Sequence, residues 1–224
     1  MMIDTKVKIN FWNRYFILIS PIIVLTTTKI IVEICRHCFQ TQISWLPSFI
    51  GYYTSILFVL FIAQKKGLVF LKDIFDVSLK PLPKIKWVLI GVILPALIPL
   101  NVFILKINSV PFEYIIYIFI FSIINPIFEE GFWRGLLSHL PYKKIFIVLY
   151  SALLFGFSHY WFWHHWFNIP IVTITTVIST TIMGVLWMSF FLKNKKIIYL
   201  IISHFLVDIF NLSVAIYSGV IPAW

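Results

Sequence analysis

The chain has 224 residues, of which 61% are hydrophobic and only 12% charged, and its mean hydropathy is +0.97. These values exclude a water-soluble globular domain and fit an all-α, polytopic membrane bundle, because apolar stretches of about 20 residues match a hydrocarbon core about 30 Å thick. The net charge of +10 sits between the apolar stretches, so it reads as a topology signal for the lipid bilayer and not as a nucleic-acid surface.

Residues 1–14 are polar and basic, with Lys6, Lys8 and Arg14, and precede an apolar run from Tyr15 to Val32. The run is long for a signal peptide and lacks a small-x-small cleavage pattern, so it is expected to stay as a first span. Lys29 is expected to snorkel to the interface. Cys35-Arg36-His37-Cys38 follows, placed in a loop after that span. A lone CxxC without a second ligand pair or a βαβ context carries no expected chemistry.

A second span is predicted over about Ser44 to Ala63, then a basic connection up to Lys86. Leu68, Leu71 and Phe75 fall at helical spacing, which fits a short interfacial amphipathic helix as well as a solvated basic loop. The third span, about Trp87 to Leu105, contains Pro95 and Pro99 and is expected to kink. The fourth, about Phe112 to Leu137, is expected to break locally at Pro126, which cannot donate to the carbonyl of Ser122. The fifth begins near Ile145 and runs into the aromatic cluster from Tyr160 to Trp166, where His164 and His165 are expected to be interfacial. A sixth covers about Pro170 to Leu192 and a seventh about Ile197 to Tyr217.

Within these spans, apart from Lys29, the ionisable groups are Glu129, Glu130, Arg134, His159, His204 and Asp208. A charge at a helix centre costs about 2.5–3.5 kcal/mol on insertion scales, so such residues are expected to face the bundle interior and one another. Glu130 and Arg134 stand at i,i+4 and can pair, whereas Glu129 points about 100° away and has no cation assigned to it. His204 and Asp208 are again at i,i+4, with Asn211 near the same side, and Asn125 is at i,i+4 from Glu129. Carboxylates and imidazoles together suit hydrolysis, one pair activating water and another group donating to an oxyanion. Ser158 and Ser203 adjoin histidines but point to other faces, which argues against a serine nucleophile. Glu129, His159 and His204 are also candidate ligands for a divalent metal such as zinc, although no HExxH is present.

In order, the residues read Glu129-Glu130-x-x-x-Arg134, Phe155-x-x-x-His159 and His204-x-x-x-Asp208. This set resembles the CAAX protease and bacteriocin-processing (CPBP, Abi) family of intramembrane proteases, and is similar to the type II CAAX prenyl endopeptidase. The resemblance covers about residues 87–212. It implies an endopeptidase acting on membrane-anchored or lipidated peptides, with Glu129 and His159 activating water and His204 and its partner Asp208 serving the oxyanion. An ionised Asp208 would repel an oxyanion, so it must be protonated or else orient His204. The division that follows is two spans and a basic connection in 1–86, a catalytic core in 87–217 and a short tail in 218–224. A non-catalytic immunity or scaffold protein, and a transporter relaying protons through Glu129, use the same charges differently and remain alternatives.

One geometric tension is visible at about 1.5 Å per residue: Glu130 and His204 fall about 10 Å deep but His159 about 21 Å. A later start or a strong tilt of the fifth span would close that gap. Of the lysines and arginines outside the spans, 14 fall on one side of the seven-span arrangement and 2 on the other, which places the N-terminus in the cytoplasm and the C-terminus outside. Accessibility labelling is therefore expected to find Lys193–Lys196 cytoplasmic and Trp224 external; the reverse placement would mean a missed or extra span near Tyr160 to Pro170.

Overall fold

The computed structural model describes residues 11–39, 45–69, 71–76, 78–79, 82–163 and 170–221. They contain helices and no strand, as expected where lipid leaves the backbone no other partner than itself. Six of the helices are long and apolar enough to span a membrane, and a seventh, shorter one is equally apolar. The chain is an integral, multi-pass membrane protein.

Helix α1 is Phe11–Cys38 and α2 is Trp45–Lys65. The CxxC therefore lies in the last turn of α1 and not in a loop, with both cysteines free. Lys29 does not only snorkel, since its ammonium pairs at 2.6 Å with Glu33 one turn on. α2 buries Phe49, Tyr52, Ile56, Val59, Leu60 and Ala63, a spacing of three and four that defines one face.

The described part of the basic connection is neither one continuous amphipathic helix nor a wholly solvated loop. Among its described residues before Ile85, the helical part is the single turn α3, Leu71–Ile74, and Leu68, Val69 and Ile74 are buried. Ile74 and Phe75 occupy the space that side chains at Gly135 and Gly131 would need. The segment is tied down further along, where Lys196 pairs with Asp76 at 3.0 Å and the Tyr199 hydroxyl donates to the Leu79 carbonyl at 2.9 Å. The Ser78 hydroxyl and backbone N–H, then the Lys196 ammonium, hold the Asp76 carboxyl down to about 2. Because this pKa is depressed, the tie is complete above the ordinary carboxylate value and is lost as pH falls toward about 2.

The third span, α4, is Ile85–Ser109. It winds as a π-helix over Leu89–Ile93 and is interrupted just before Leu100, where Pro99 has φ −87° and ψ 2°. The expected kink is thus a break at the second proline. The fourth, α5, is Phe112–His139. It runs as α-helix straight through Pro126 to Glu130, and its wide π turn follows at Gly131–Leu136. The local break expected at Pro126 is displaced past the two glutamates, to a turn that carries Arg134 and the glycines against which Ile74 and Phe75 wedge.

Helices α6, Lys144–Trp163, and α7, Pro170–Asn194, form a close pair in which Gly184 lies against Ala152 and Gly156 against Thr181, small residues allowing near approach. The last span is not one helix. α8 is Ile197–Asn211, Leu212 turns left-handed with φ 53°, and α9 is Ser213–Tyr217. α5 and α8 pack together at the centre, with α2 and α4 beside them and the α6–α7 pair and α1 outside.

The wedge under the wide turn is testable by coupling. Gly131→Ala is expected to cost about 1–3 kcal/mol through overpacking. In a Phe75→Ala background the same change should cost less, and a thermal-unfolding double-mutant cycle in detergent measures the difference. Additive losses would mean that Phe75 does not hold this turn.

Candidate active site

The site is built where α5, α8 and α2 meet, with α6 and α7 closing it. Successive residues on α5 send the two glutamates to different partners. Glu130 is completely buried; its Oε1 accepts from His204 Nδ1 at 2.8 Å and lies 3.3 Å from Arg134 Nη1. Arg134 makes no hydrogen bond to the described residues. Its guanidinium instead lies over the rings of Phe155 at 4.2 Å and Trp187 at 5.0 Å, where stacked aromatic faces replace part of its lost hydration. Trp187 in turn stacks on His204, with centroids 4.7 Å apart and planes at 25°.

Glu129 is not without partners, contrary to the expectation from helix phase alone. Its Oε1 accepts from the Tyr52 hydroxyl at 2.9 Å, and that hydroxyl itself accepts from Trp133 Nε1 at 2.9 Å. Its Oε2 lies 3.5 Å from His204 Nε2. The same nitrogen is 3.7 Å from Asp208 Oδ1 and 3.4 Å from Asn125 Nδ2. One imidazole therefore faces all three carboxylates. Asn125 donates to Asp208 Oδ2 at 3.0 Å and accepts from the Tyr53 hydroxyl at 3.1 Å.

His159 lies further along the same cavity. Its Nδ1 donates to the Phe155 carbonyl at 2.8 Å, the bond expected of an imidazole one turn beyond that residue. The Phe155 ring lies 6.3 Å from that of His204 and 4.8 Å from that of His159. α6 starts at Lys144, no later than expected, and His159 still lines the same cavity as Glu129 and His204. Glu129, Asn125, His159, His204 and Asp208 all line this cavity of about 250 Å³. His164 and His165 fall outside the described residues. Ser158 donates to the Phe155 carbonyl at 2.6 Å, and Ser203 lies between Trp187 Nε1 and the Val92 carbonyl, so both hydroxyls are engaged structurally.

Among the described residues, no group of three His, Cys, Asp or Glu side chains is arranged to hold a metal ion. His204 has Nδ1 on Glu130 and Nε2 facing two further carboxylates, while one oxygen of Glu129 is taken by Tyr52. As arranged, Glu129, His159 and His204 do not fit a tetrahedral zinc site.

Residues 111–210 match the family model described as Rce1-like, type II CAAX prenyl endopeptidase Rce1-like. These residues, fewer than half of the chain, are similar to the Rce1-like domain of the CAAX protease family. No curated protein matches the chain, and no solved structure does. The matched segment holds Glu129, Glu130, Arg134, His159, His204 and Asp208, along with Asn125, Phe155 and Trp187. It leaves out α2, whose Tyr52 and Tyr53 fix Glu129 and Asn125. The available signal for these tyrosines was two adjacent phenols within an apolar span, polar groups that need partners in lipid.

The Glu130–Arg134 contact is completely buried, so removing one member strands the other. Arg134→Ala is expected to destabilise the protein by about 3–5 kcal/mol, seen as a lowered Tm in detergent and lowered expression. Arg134→Lys should recover only part of this, because an ammonium does not cover two rings as a guanidinium plane does. Full recovery with lysine would assign the residue's role to charge alone.

Proposed function

We propose that the protein is an intramembrane endopeptidase that hydrolyses a peptide bond of a membrane-associated or lipidated substrate with water activated by Glu129. What carries this reading is the convergence of Glu129, Asn125, His159 and His204 on one cavity of about 250 Å³. The cluster has three carboxylates and two groups able to carry positive charge, Arg134 and His204. Fully ionised, it holds one surplus negative charge in a low-dielectric setting, and a proton taken from water cancels that surplus.

In the proposed reaction Tyr52 fixes Oε1 of Glu129, leaving Oε2 to accept the proton of a water held between it and His159. The water oxygen bonds to the scissile carbonyl carbon, and negative charge develops on the carbonyl oxygen. His204 Nε2–H and the Asn125 amide, 3.4 Å apart, are the nearest pair of donors and stabilise that oxygen. The carbon–nitrogen bond then breaks as Glu129 passes its proton to the leaving amine. Asp208 is assigned to orienting: it accepts from Asn125 and faces His204, so its charge is directed at donors and away from the oxyanion. The Rce1-like match supports proteolysis as the reaction class. The charge asymmetry of the connections supports a cytoplasmic N-terminus.

Purified protein would be assayed against a panel of membrane-anchored and lipidated peptides. Glu129→Gln keeps the shape and can still accept from Tyr52 but cannot take a proton, so it is expected to keep the wild-type Tm and lose about 10²–10⁴ in rate. Asn125→Ala is expected to lose about 10²–10³ in kcat. Wild-type cleavage by Glu129→Gln would sink the assignment and return the cluster to a purely structural role.

A further inference from the structure

The catalytic cavity is closed toward one end of the bundle and lined with polar residues toward the other. Its innermost walls are Glu129, Trp187 and His204, all buried. Beyond them, toward the helix ends that carry Lys143, Lys144 and Lys193, the space is filled. Phe132, Trp133, Arg134, Leu136 and Leu137 are completely buried there. Ile74 and Phe75 press on the wide turn from below, and at the same end α4 meets α7 where the Phe190 ring fills the place of a side chain on Gly91.

In the opposite direction α4 and α7 both border the cavity, through Asn101 on one and Thr175, Thr176 and Ser179 on the other. Asn101 and Thr175 are exposed, and Thr175 stands about 27 Å along α7 from Lys193. The faces of α7 are sharply different. Ile174, Ile178 and Ile182 are about half exposed on the outside, whereas Thr176, Ser179 and Thr180 face the cavity, with Ser179 and Thr180 donating to the Thr176 carbonyl at 3.0 and 2.7 Å. Hydroxyls satisfied in this way are tolerated in a bilayer and still offer lone pairs to a passing peptide N–H.

We infer that the substrate peptide reaches the site between α4 and α7 from the end of the bundle opposite the lysine-rich connections. With those connections in the cytoplasm, the cleaved segment is one presented from the non-cytoplasmic side, such as a translocated or outer-leaflet-anchored peptide, and not a C-terminus lying in the cytosol. The inference rests on the hydrolase reading for its substrate, but its geometry can be tested without catalysis.

In a Cys35→Ser/Cys38→Ser background, Asn101→Cys and Thr176→Cys would each be treated with a membrane-impermeant maleimide on intact cells, with Lys193→Cys marking the other end. The first two are expected to react from outside and Lys193→Cys only after permeabilisation. Reaction of Asn101→Cys and Thr176→Cys only from the side of Lys193→Cys, or from neither side, overturns the inference. In proteoliposomes, a bulky maleimide on Thr176→Cys should lower cleavage of a membrane-anchored peptide at least tenfold relative to the unmodified variant, with Ser179→Cys as the substitute if that variant is poorly folded. Full adduct formation with undiminished cleavage would refute the entrance while leaving the hydrolase standing. If the wild type cleaves none of the peptides, the hydrolase reading fails, and the labelling still decides which end of the bundle is open.

Discussion

The structure depends on how one imidazole, His204, is held among three carboxylates inside a bilayer. Its Nδ1 is fixed by Glu130, its Nε2 faces Glu129 and Asp208, and its ring is covered by Trp187. Each of those partners is itself held. Arg134 supplies charge to Glu130, Tyr52 donates to Glu129, Asn125 donates to Asp208, and Ser203 takes the N–H of Trp187. Where hydrogen bonds are missing among the described residues, at Glu130 Oε2 and the Arg134 guanidinium, close opposite charge and aromatic cover take their place.

The backbone irregularities follow from that demand. A regular α-helix would continue past Glu130, yet the chain widens to a π turn over Gly131–Leu136, and the glycines of that turn admit Ile74 and Phe75. π turns inside helices gather at functional sites because they re-aim side chains without ending the helix. Here the turn carries Trp133, which reaches the Tyr52 hydroxyl, and Arg134, which reaches the aromatic faces. The apolar wedge below makes a solid base, so the polar space extends only the other way.

Glu129 and Glu130 illustrate a division of labour set by phase. One residue apart on α5, they turn about 100° from each other. Glu130 meets Arg134 and is completely buried, which suits a fixed anion in the supporting structure. Glu129 meets a phenol and one edge of the cavity, which suits a carboxylate that exchanges a proton with water. In the proposed reaction the same residue type takes two roles because its neighbours differ, not because its intrinsic chemistry does.

The sequence by itself determined that the chain is a helical membrane bundle, because lipid permits few alternatives to an apolar run of about 20 residues. It also pointed to which polar residues would meet: Glu129, Glu130, Arg134, His159, His204 and Asp208 are too costly in lipid to stand apart; all but His159 are joined in one cluster of close contacts, and His159 lines the same cavity. Only the tertiary structure decided what lies across the helix interfaces. That Tyr52 and Tyr53 reach the site depends on α2 lying against α5, and that the basic connection wedges under Gly131 depends on the same packing; neither is encoded in the periodicity of one segment. The break expected at Pro126 fell elsewhere because helix continuity there is set by neighbouring contacts as much as by a missing N–H. His159 shares the cavity with the cluster, and its Nδ1 is turned to the Phe155 carbonyl one turn earlier on α6, an orientation that spacing alone does not assign.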